Sequence, residues 1–490
     1  VELMHQAGIP KAAVQLLPGT GATVGSALTS DARVTGVCFT GSTATAQRIN
    51  KAMAENMAPD APLVAETGGL NAMIVDSTAL PEQVVRDVLA SSFQSAGQRC
   101  SALRMLYVQE DIAENLLEML YGAMEELGVG DPWLLSTDVG PVIDENARKK
   151  IADHCDKFEQ QGKLLKKMSV PEKGRFVSPA VLKVSGIEEM EEEIFGPVLH
   201  VATFAAKDID KVIDAVNAKG YGLTFGIHSR VDRRIEHISS RIKVGNTYVN
   251  RNQIGAIVGS QPFGGEGLSG TGPKAGGPQY VRRFIKGEVV EKAAPADARS
   301  VTASKVQKLI DQLAKVDAPV AEGRQQALKP YFGDLPAPLD EGYEEMPGPT
   351  GEQNHLSCHA RGVVLCLGPD AESAIEQAGT ALSQGNKVVV IAPGVEKLLA
   401  DAIKAGLPVA AVDGLLEPDA LLQLNGYEAV TSVAEKPLLK QYRQALAKRD
   451  GALLPIITEH KLDQRYVIER HLCIDTTAAG GNASLIASAE

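Results

Sequence analysis

The chain has 490 residues, 44% hydrophobic and 22% charged, with 61 acidic against 49 basic residues and a formal net charge of −12. That length leaves room for roughly two to four domains with full cores. The acid excess excludes a basic nucleic-acid face, no apolar run reaches membrane-span length, and six scattered cysteines (38, 100, 155, 358, 366 and 473) exclude a disulfide scaffold and fit a reducing cytoplasm.

In chain order, "AAVQLLPG" (12–19) reads as a short strand stopped by Pro-Gly, and "TGVCFTGS" (35–42) as a strand entering a Gly-Ser turn. "TATAQRINKAMAEN" (43–56) is helical, and "PLVAETGGLNAMIV" (62–75) is a strand pair broken by Gly68-Gly69. "PEQVVRDVLASSFQ" (81–94) has helical spacing. Further strand and helix signals follow at 195–204, 208–219 and 243–250, so the pattern predicts a parallel α/β sheet. The glycine-rich stretch 262–279 predicts a loop and 280–292 a terminal strand. A boundary falls at 291–303, an amphipathic helix at 304–316, and the acidic, Pro/Gly-bearing 340–355 predicts a loop. Beyond 360, "ARGVVLCLGPD", "AESAIEQAGTALSQG" and "NKVVVIAPG" form a βαβ-like unit. "AGIPKAAVQLLPG" (7–19) and "AGLPVAAVDGLLE" (405–417) share Ala-Gly-x-Pro-x-Ala-Ala-Val, both reading as a helix–strand join; an old duplication is expected, its second copy without the Thr-Gly-Ser turn.

Within "SSFQSAGQRCSALR" (91–104), Cys100 occupies a polar, glycine-containing turn beside Arg99. That setting favours a thiolate, the nucleophilic form. Cys38 and Cys366 lie within apolar strands and are expected to be inert. Gly41 and Ser42 stand between a strand and a helix, where a hydroxyl and a helix N-terminus face a pyrophosphate or merely cap the helix. His355, Cys358 and His359 in "HLSCH" read as loop residues without a second ligand cluster. In "EEMEEEI", Glu188, Glu189 and Glu191 read as a solvated helix face.

"FTGST" (39–43), "ETGGLNAMIV" (66–75), "GQRC" (97–100), "EEIFGPV" (192–198) and "PFGGEGLSGTG" (262–272) come in the order and approximate spacing of the aldehyde dehydrogenases, which residues 1 to about 290 resemble. The resemblance implies an α/β fold: a partial Rossmann-type coenzyme domain (1–68), a catalytic domain (69–268), and the loop and terminal strand of the dehydrogenase (269–292). A linker (293–303), a degenerate aldehyde dehydrogenase-like domain (304–464) and a tail (465–490) would follow. It implies Cys100 as nucleophile and Glu66 as general base. NAD would meet Gly41 and Ser42 through its pyrophosphate, and Glu193 and Phe195 through its nicotinamide ribose and ring. Ala46 replaces a glycine of many relatives.

Ser101 and the loop "GAIVGSQPFGG" (255–265) resemble the subgroup that oxidises L-glutamate γ-semialdehyde, the open form of 1-pyrroline-5-carboxylate. There Ser101, Gly255 and Ala256 would hold the amino-acid end, glycine-rich turns and hydroxyls being donors to a carboxylate, and Phe263 would pack on the aliphatic chain. Another semialdehyde is the alternative. "RYVIERHLCIDTTAAGGNASLIASAE" (465–490) resembles the C-terminus of the long bacterial proline utilization A family. That family implies an upstream FAD-dependent proline dehydrogenase domain, channelling between the two sites, a homo-oligomer, and a non-catalytic final segment that closes the route; residues 300–490 are expected to bind no NAD, because the repeat drops the groups the cofactor would need. The family's Trp-Asn turn and Lys-Pro strand are absent here, Trp133 being followed by Leu134. The expectation is therefore a piece of a longer enzyme, with a non-catalytic fragment left open for this chain alone.

Overall fold

The computed structural model describes residues 1–285, 290–295, 298–317, 321–459 and 462–477. Apolar runs become strands where a neighbour completes their hydrogen-bond ladder. The largest result is a ten-stranded sheet ordered Leu164–Lys167, Ala180–Lys183, Val198–Phe204, Met105–Gln109, Ala72–Val75, Thr224–His228, Asn246–Val249, Val467–Asp475, Glu352–Ala360 and Glu344–Met346. Every pairing from Ala180–Lys183 across to Val467–Asp475 is parallel. The outermost strand on one side and the hairpin on the other are antiparallel. Strands covered on both faces need no polar alternation, and all residues of Ala72–Val75 and Met105–Gln109 are buried. Helix Pro81–Phe93, opened by proline in its first turn, buries Val84, Val85 and Val88 and leads into the Cys100 turn.

Strands Val37–Gly41 and Leu63–Thr67 pair in parallel across helix Thr43–Asn56, a single βαβ unit. A separate five-stranded parallel sheet runs Val409–Val412, Lys387–Ile391, Val363–Cys366, Ala429–Thr431 and Ile456–Ile457. Helix Ala303–Leu313 lays Val306, Ile310 and Leu313 on one face of its core. None of the described helices is long and apolar enough to cross a membrane.

Several expectations fail. Residues 12–19 are not a strand, because no described segment pairs with them; only the second copy of the repeat, at Val409–Val412, is one. Within 280–292, Val281–Phe284 is a 3-10 turn and 286–289 lie outside the described residues. Residues 340–355 are not all loop: Glu344–Met346 and the start of Glu352–Ala360 form a hairpin on the large sheet, satisfied by Val467–Asp475 from more than a hundred residues away. His355, Cys358 and His359 therefore stand on a strand, Cys358 facing opposite to the two histidines. Glu188 and Glu189 are exposed on a 3-10 turn and Glu191 beyond it, not on an α-helix. Cys38 is exposed, since its two-stranded sheet has an uncovered face. Residues 344–360 and 467–475 join the dehydrogenase sheet, so the limits drawn at 304–464 and 465–490 cut across one structural unit. Residues 478–490 lie outside the described ones.

Candidate active site

After helix Pro81–Phe93 the chain turns through three residues of positive φ, Ser95 (56°), Ala96 (53°) and Gly97 (65°). Two of them carry a Cβ, a strain that persists where surrounding structure over-determines it. Gly97 is required: a Cβ there would lie 2.1 Å from Gly196 O. The turn places Cys100 before strand Met105–Gln109, over the N-terminal ends of the central strands. Asn71, just ahead of strand Ala72–Val75, donates from Nδ2 to Cys100 O (2.7 Å) and Ala102 O (2.9 Å). Ser101 is buried, its carbonyl accepting from Thr224 Oγ1 (3.1 Å) and Gln253 Nε2 (3.3 Å).

The cation that matters is not the one adjacent in sequence. Arg99 turns to Ser95 Oγ (3.1 Å). Arg104 is fully buried and donates to Gly97 O (2.7 Å), Gly196 O (3.1 Å) and Arg99 O (3.1 Å), and pairs with Glu193 Oε1 (3.1 Å). Its guanidinium lies 5.2 Å from the Phe195 ring centroid. Glu193 also takes the Gly69 N–H, and a Cβ on Gly68 would meet its Oε2 at 1.8 Å. Burial, then the Glu193 and Glu66 carboxylates, push the Cys100 thiol above its ordinary value. The expectation of a thiolate-favouring setting is thus corrected: burial leads, the Glu193 and Glu66 carboxylates add to it, and the buried Arg104 cation acts on the sulfur without reversing them.

Glu66 sits in strand Leu63–Thr67, opposite Thr40. Its Oε2 accepts from Gly265 N (2.9 Å), while Oε1 is buried without a partner. Burial raises its pKa, and the Gly265 N–H and the Lys274 charge oppose that rise.

Cys100, Ser101, Glu66, Glu193 and Phe195 are thus brought together. Gly255 and Ala256 stand just beyond Gln253, Gly255 exposed with φ of 74°. Phe263 is half-buried, its N–H and carbonyl paired with Ala275. Gly41 and Ser42 end the strand beside Glu66; Ser42 Oγ accepts from Thr45 N (3.2 Å), capping helix Thr43–Asn56. A groove of about 1050 Å³ is lined by Phe195, Gln98, Pro141, Ile143 and Phe176. A cavity of about 1070 Å³ lies elsewhere, between the Gly264–Lys274 turn and the C-terminal strands, and Cys100 does not line it. Sequence reading missed Asn71, Arg104, Gln253 and Lys274. Asn71 lies inside the quoted "ETGGLNAMIV", and a charge at 104 between apolar neighbours is the signal that was available.

The fold and this cluster define a dehydrogenase-type α/β protein with a candidate thiol nucleophile, and residues 1–290 match the aldehyde dehydrogenase family. The chain belongs to that family. It is 41% identical to the "Bifunctional protein PutA" of Klebsiella aerogenes, over 98% of this chain and 38% of that protein. It is 38% identical to the 1-pyrroline-5-carboxylate dehydrogenase of Geobacillus kaustophilus, over 59% of this chain and 57% of that enzyme. Among solved structures, a bifunctional proline utilization A protein matches at 53% identity and a TM-score of 0.56, over 58% of this chain and 29% of the other. A 1-pyrroline-5-carboxylate dehydrogenase from Thermus with bound NAD matches at 35% identity and a TM-score of 0.54, over 58% of this chain and 56% of the other. The chain therefore spans about two fifths of the length of the PutA relatives it matches.

Proposed function

We propose that the protein carrying this chain oxidises L-glutamate γ-semialdehyde, in equilibrium with 1-pyrroline-5-carboxylate, to L-glutamate with NAD. The observation that carries this reading is that Cys100 lies within electrostatic reach of the buried Glu66, whose Oε1 has no hydrogen-bond partner and can take a proton. Cys100 Sγ attacks the aldehyde carbon, loss of hydride leaves a thioester on Cys100, and water activated by Glu66 releases glutamate. NAD supplies the hydride acceptor. The residues present fit it: Gly41 and Ser42 open an exposed helix N-terminus, and Phe195 is an exposed aromatic, 44%, on the groove. Ser42 would meet the pyrophosphate, and Glu193 with Phe195 the ribose and ring. Ser101, Gly255, Ala256 and Phe263 would hold the amino-acid end of the substrate.

The reading extends to an upstream FAD-dependent proline dehydrogenase domain that passes its product to this site, in a cytoplasmic homo-oligomer; the name bifunctional proline utilization A carried by relatives supports the second activity alone. The experiment is direct: NADH formation by the full-length protein from 1-pyrroline-5-carboxylate, against succinate semialdehyde and unsubstituted aliphatic aldehydes. Preference of kcat/KM for the amino-acid aldehyde is expected. Equal or higher values for the others would assign the site to another semialdehyde.

A further inference from the structure

The peptide unit joining Gly264 to Gly265 has both polar ends held by titratable side chains. Its N–H donates to Glu66 Oε2 at 2.9 Å, and its carbonyl accepts from Lys274 Nζ at 2.6 Å. Lys274 Nζ also donates to Asn246 Oδ1 (2.9 Å), and the same oxygen accepts from Gly264 N (3.2 Å). Asn246 Nδ2 in turn donates to Pro262 O (2.9 Å), so the turn is pinned on both sides of Gly264. The space is tightly filled. A Cβ on Gly245 would lie 1.8 Å from Gly264 O and 2.8 Å from Lys274 Nζ, and one on Gly264 would lie 3.0 Å from Glu66 Oε1.

Lys274 is only 2% exposed. Burying an ammonium is costly unless its donors and charge are matched, and the reaction assigned above makes no use of it. We propose that Lys274 is a positioning residue for Glu66, acting through the Gly264–Gly265 peptide. The inference rests on the reading of Glu66 as the base. An ammonium on an amide oxygen polarises that amide and strengthens the bond its N–H donates. The carboxylate is thereby held by Oε2, and Oε1 is left for the proton of the deacylating water.

The electrostatics agree in sign. Burial drives Glu66 towards its neutral form, and the Gly265 N–H and the Lys274 charge oppose this. Removing the Lys274 charge therefore moves Glu66 further up, and a higher pH is needed to hold it as the base. The other titratable or charged groups facing the pair are Cys100 and Tyr280 near Glu66, and Glu266, Glu469, Arg470 and His471 near Lys274. All of these stay in place in a Lys274 variant.

The test uses the full-length protein with 1-pyrroline-5-carboxylate and NAD. Stopped flow reads the first-turnover NADH burst and the steady rate; acid quenching with intact-mass analysis reads the fraction of Cys100 held as thioester. Lys274→Met is expected to keep the burst and to slow steady turnover about 10-fold or more, a typical share of a general base's contribution. Acyl-enzyme should accumulate, and the ascending limb of kcat against pH should move about one unit upward. Lys274→Arg, which keeps the charge, should return the limb towards its original position. This second variant also serves if Lys274→Met does not fold. A loss of burst, steady rate and thermal midpoint together, with no displaced limb, would mark a merely structural lysine and overturn the proposal. An unchanged thioester fraction and limb in folded variants would overturn it too. Glu66→Gln separates the two readings: if it stops thioester hydrolysis while Lys274→Met does not, only the proposal fails. If Glu66→Gln turns over normally, the base assignment fails and the proposal falls with it.

Discussion

At the scale of single residues, the six thiols are distinguished by what surrounds them. Burial pushes Cys155 up to about 11, and Cys358 and Cys473 to about 12, while Cys366 lies wholly inside the second sheet. Cys100 differs in standing in a strained turn, half-buried, with the Glu193 and Glu66 carboxylates acting on its thiol. Cys100→Ala in the full-length protein is expected to lower NADH formation by more than about a thousandfold, the least that a lost covalent route should cost; a smaller loss measured at saturating substrate would remove Cys100 as nucleophile. The anionic surroundings give a second expectation. Because the Glu66 carboxylate raises the Cys100 thiol, Glu66→Gln should lower it, and the thiolate should appear at lower pH. Alkylation of Cys100 by iodoacetamide, followed by peptide mass analysis across pH, should show the profile moved to the acid side, with exposed Cys38 as the internal reference. A profile that stays in place would mean that Glu66 does not face the sulfur in solution.

At the scale of elements, the site depends on two close approaches between segments far apart in sequence. Gly68 lets Glu193 reach the strand end, and Arg104 ties the Cys100 turn to the 193–196 segment. Gly68→Ala would put its Cβ on the Glu193 carboxylate. Displacement of about 1 Å at a reacting centre is worth about 100-fold, so kcat/KM is expected to fall by that order, and the denaturant midpoint is expected to fall with it, because a carboxylate that swings away leaves fully buried Arg104 without its charge partner. Unchanged kinetics would show that Glu193 is free to vacate its place. Arg104→Met strands a buried carboxylate and three carbonyl acceptors, and a broken buried pair costs about 3–5 kcal/mol, readable as a lowered midpoint in urea. The same distances explain what could be read from the chain alone. Cys100 and Glu66 were legible because each lies in a short local pattern, a glycine turn and a strand end. Strand Glu352–Ala360 was not, because its ladder partner is Val467–Asp475 and its own residues carry turn-forming neighbours. Residues 12–19 show the converse, an apolar run that no described strand pairs with. Asn71 and Arg104 read as ordinary polar residues until the fold brings Cys100, Ala102 and Glu193 to them.

At the scale of the whole molecule, the C-terminal third is part of the dehydrogenase body and not an appendage. Val467–Asp475 lies between Asn246–Val249 and Glu352–Ala360, Glu469 Oε2 accepts from Lys274 N (3.0 Å), and Arg470 pairs with Glu266 (2.8 Å). Glu352 takes Arg251 and Gln261 from the loop that carries Gly255 and Ala256, and Arg443 donates to Ala58, Pro59 and Ala61 carbonyls. What the five-stranded sheet does on its own account is a separate matter. It has the strand–turn–helix geometry of a dinucleotide site at "LCLGPD", where Val363–Cys366 leads into helix Ala371–Ser383. There the helix N-terminus is already taken. Asp370 accepts from Ser373 N (2.8 Å), Glu372 follows in the first turn, and Lys292 is paired with both carboxylates. At the spot where a pyrophosphate would seek N–H groups, Asp370 takes one donor and the two carboxylates repel an anion. The strand–helix join at Gly41 and Ser42, whose counterpart in the repeat falls near 429–433 and not at "LCLGPD", carries no acid in its first turn. The full-length protein is therefore expected to bind one NAD per chain by calorimetric titration, and Ser42→Asp, which installs the same charge at the first copy, should weaken that binding by about 10-fold or more, given a helix-terminus charge effect of about 1–2 kcal/mol. A second equivalent of NAD that persists in Ser42→Asp would place a working dinucleotide site in the five-stranded sheet.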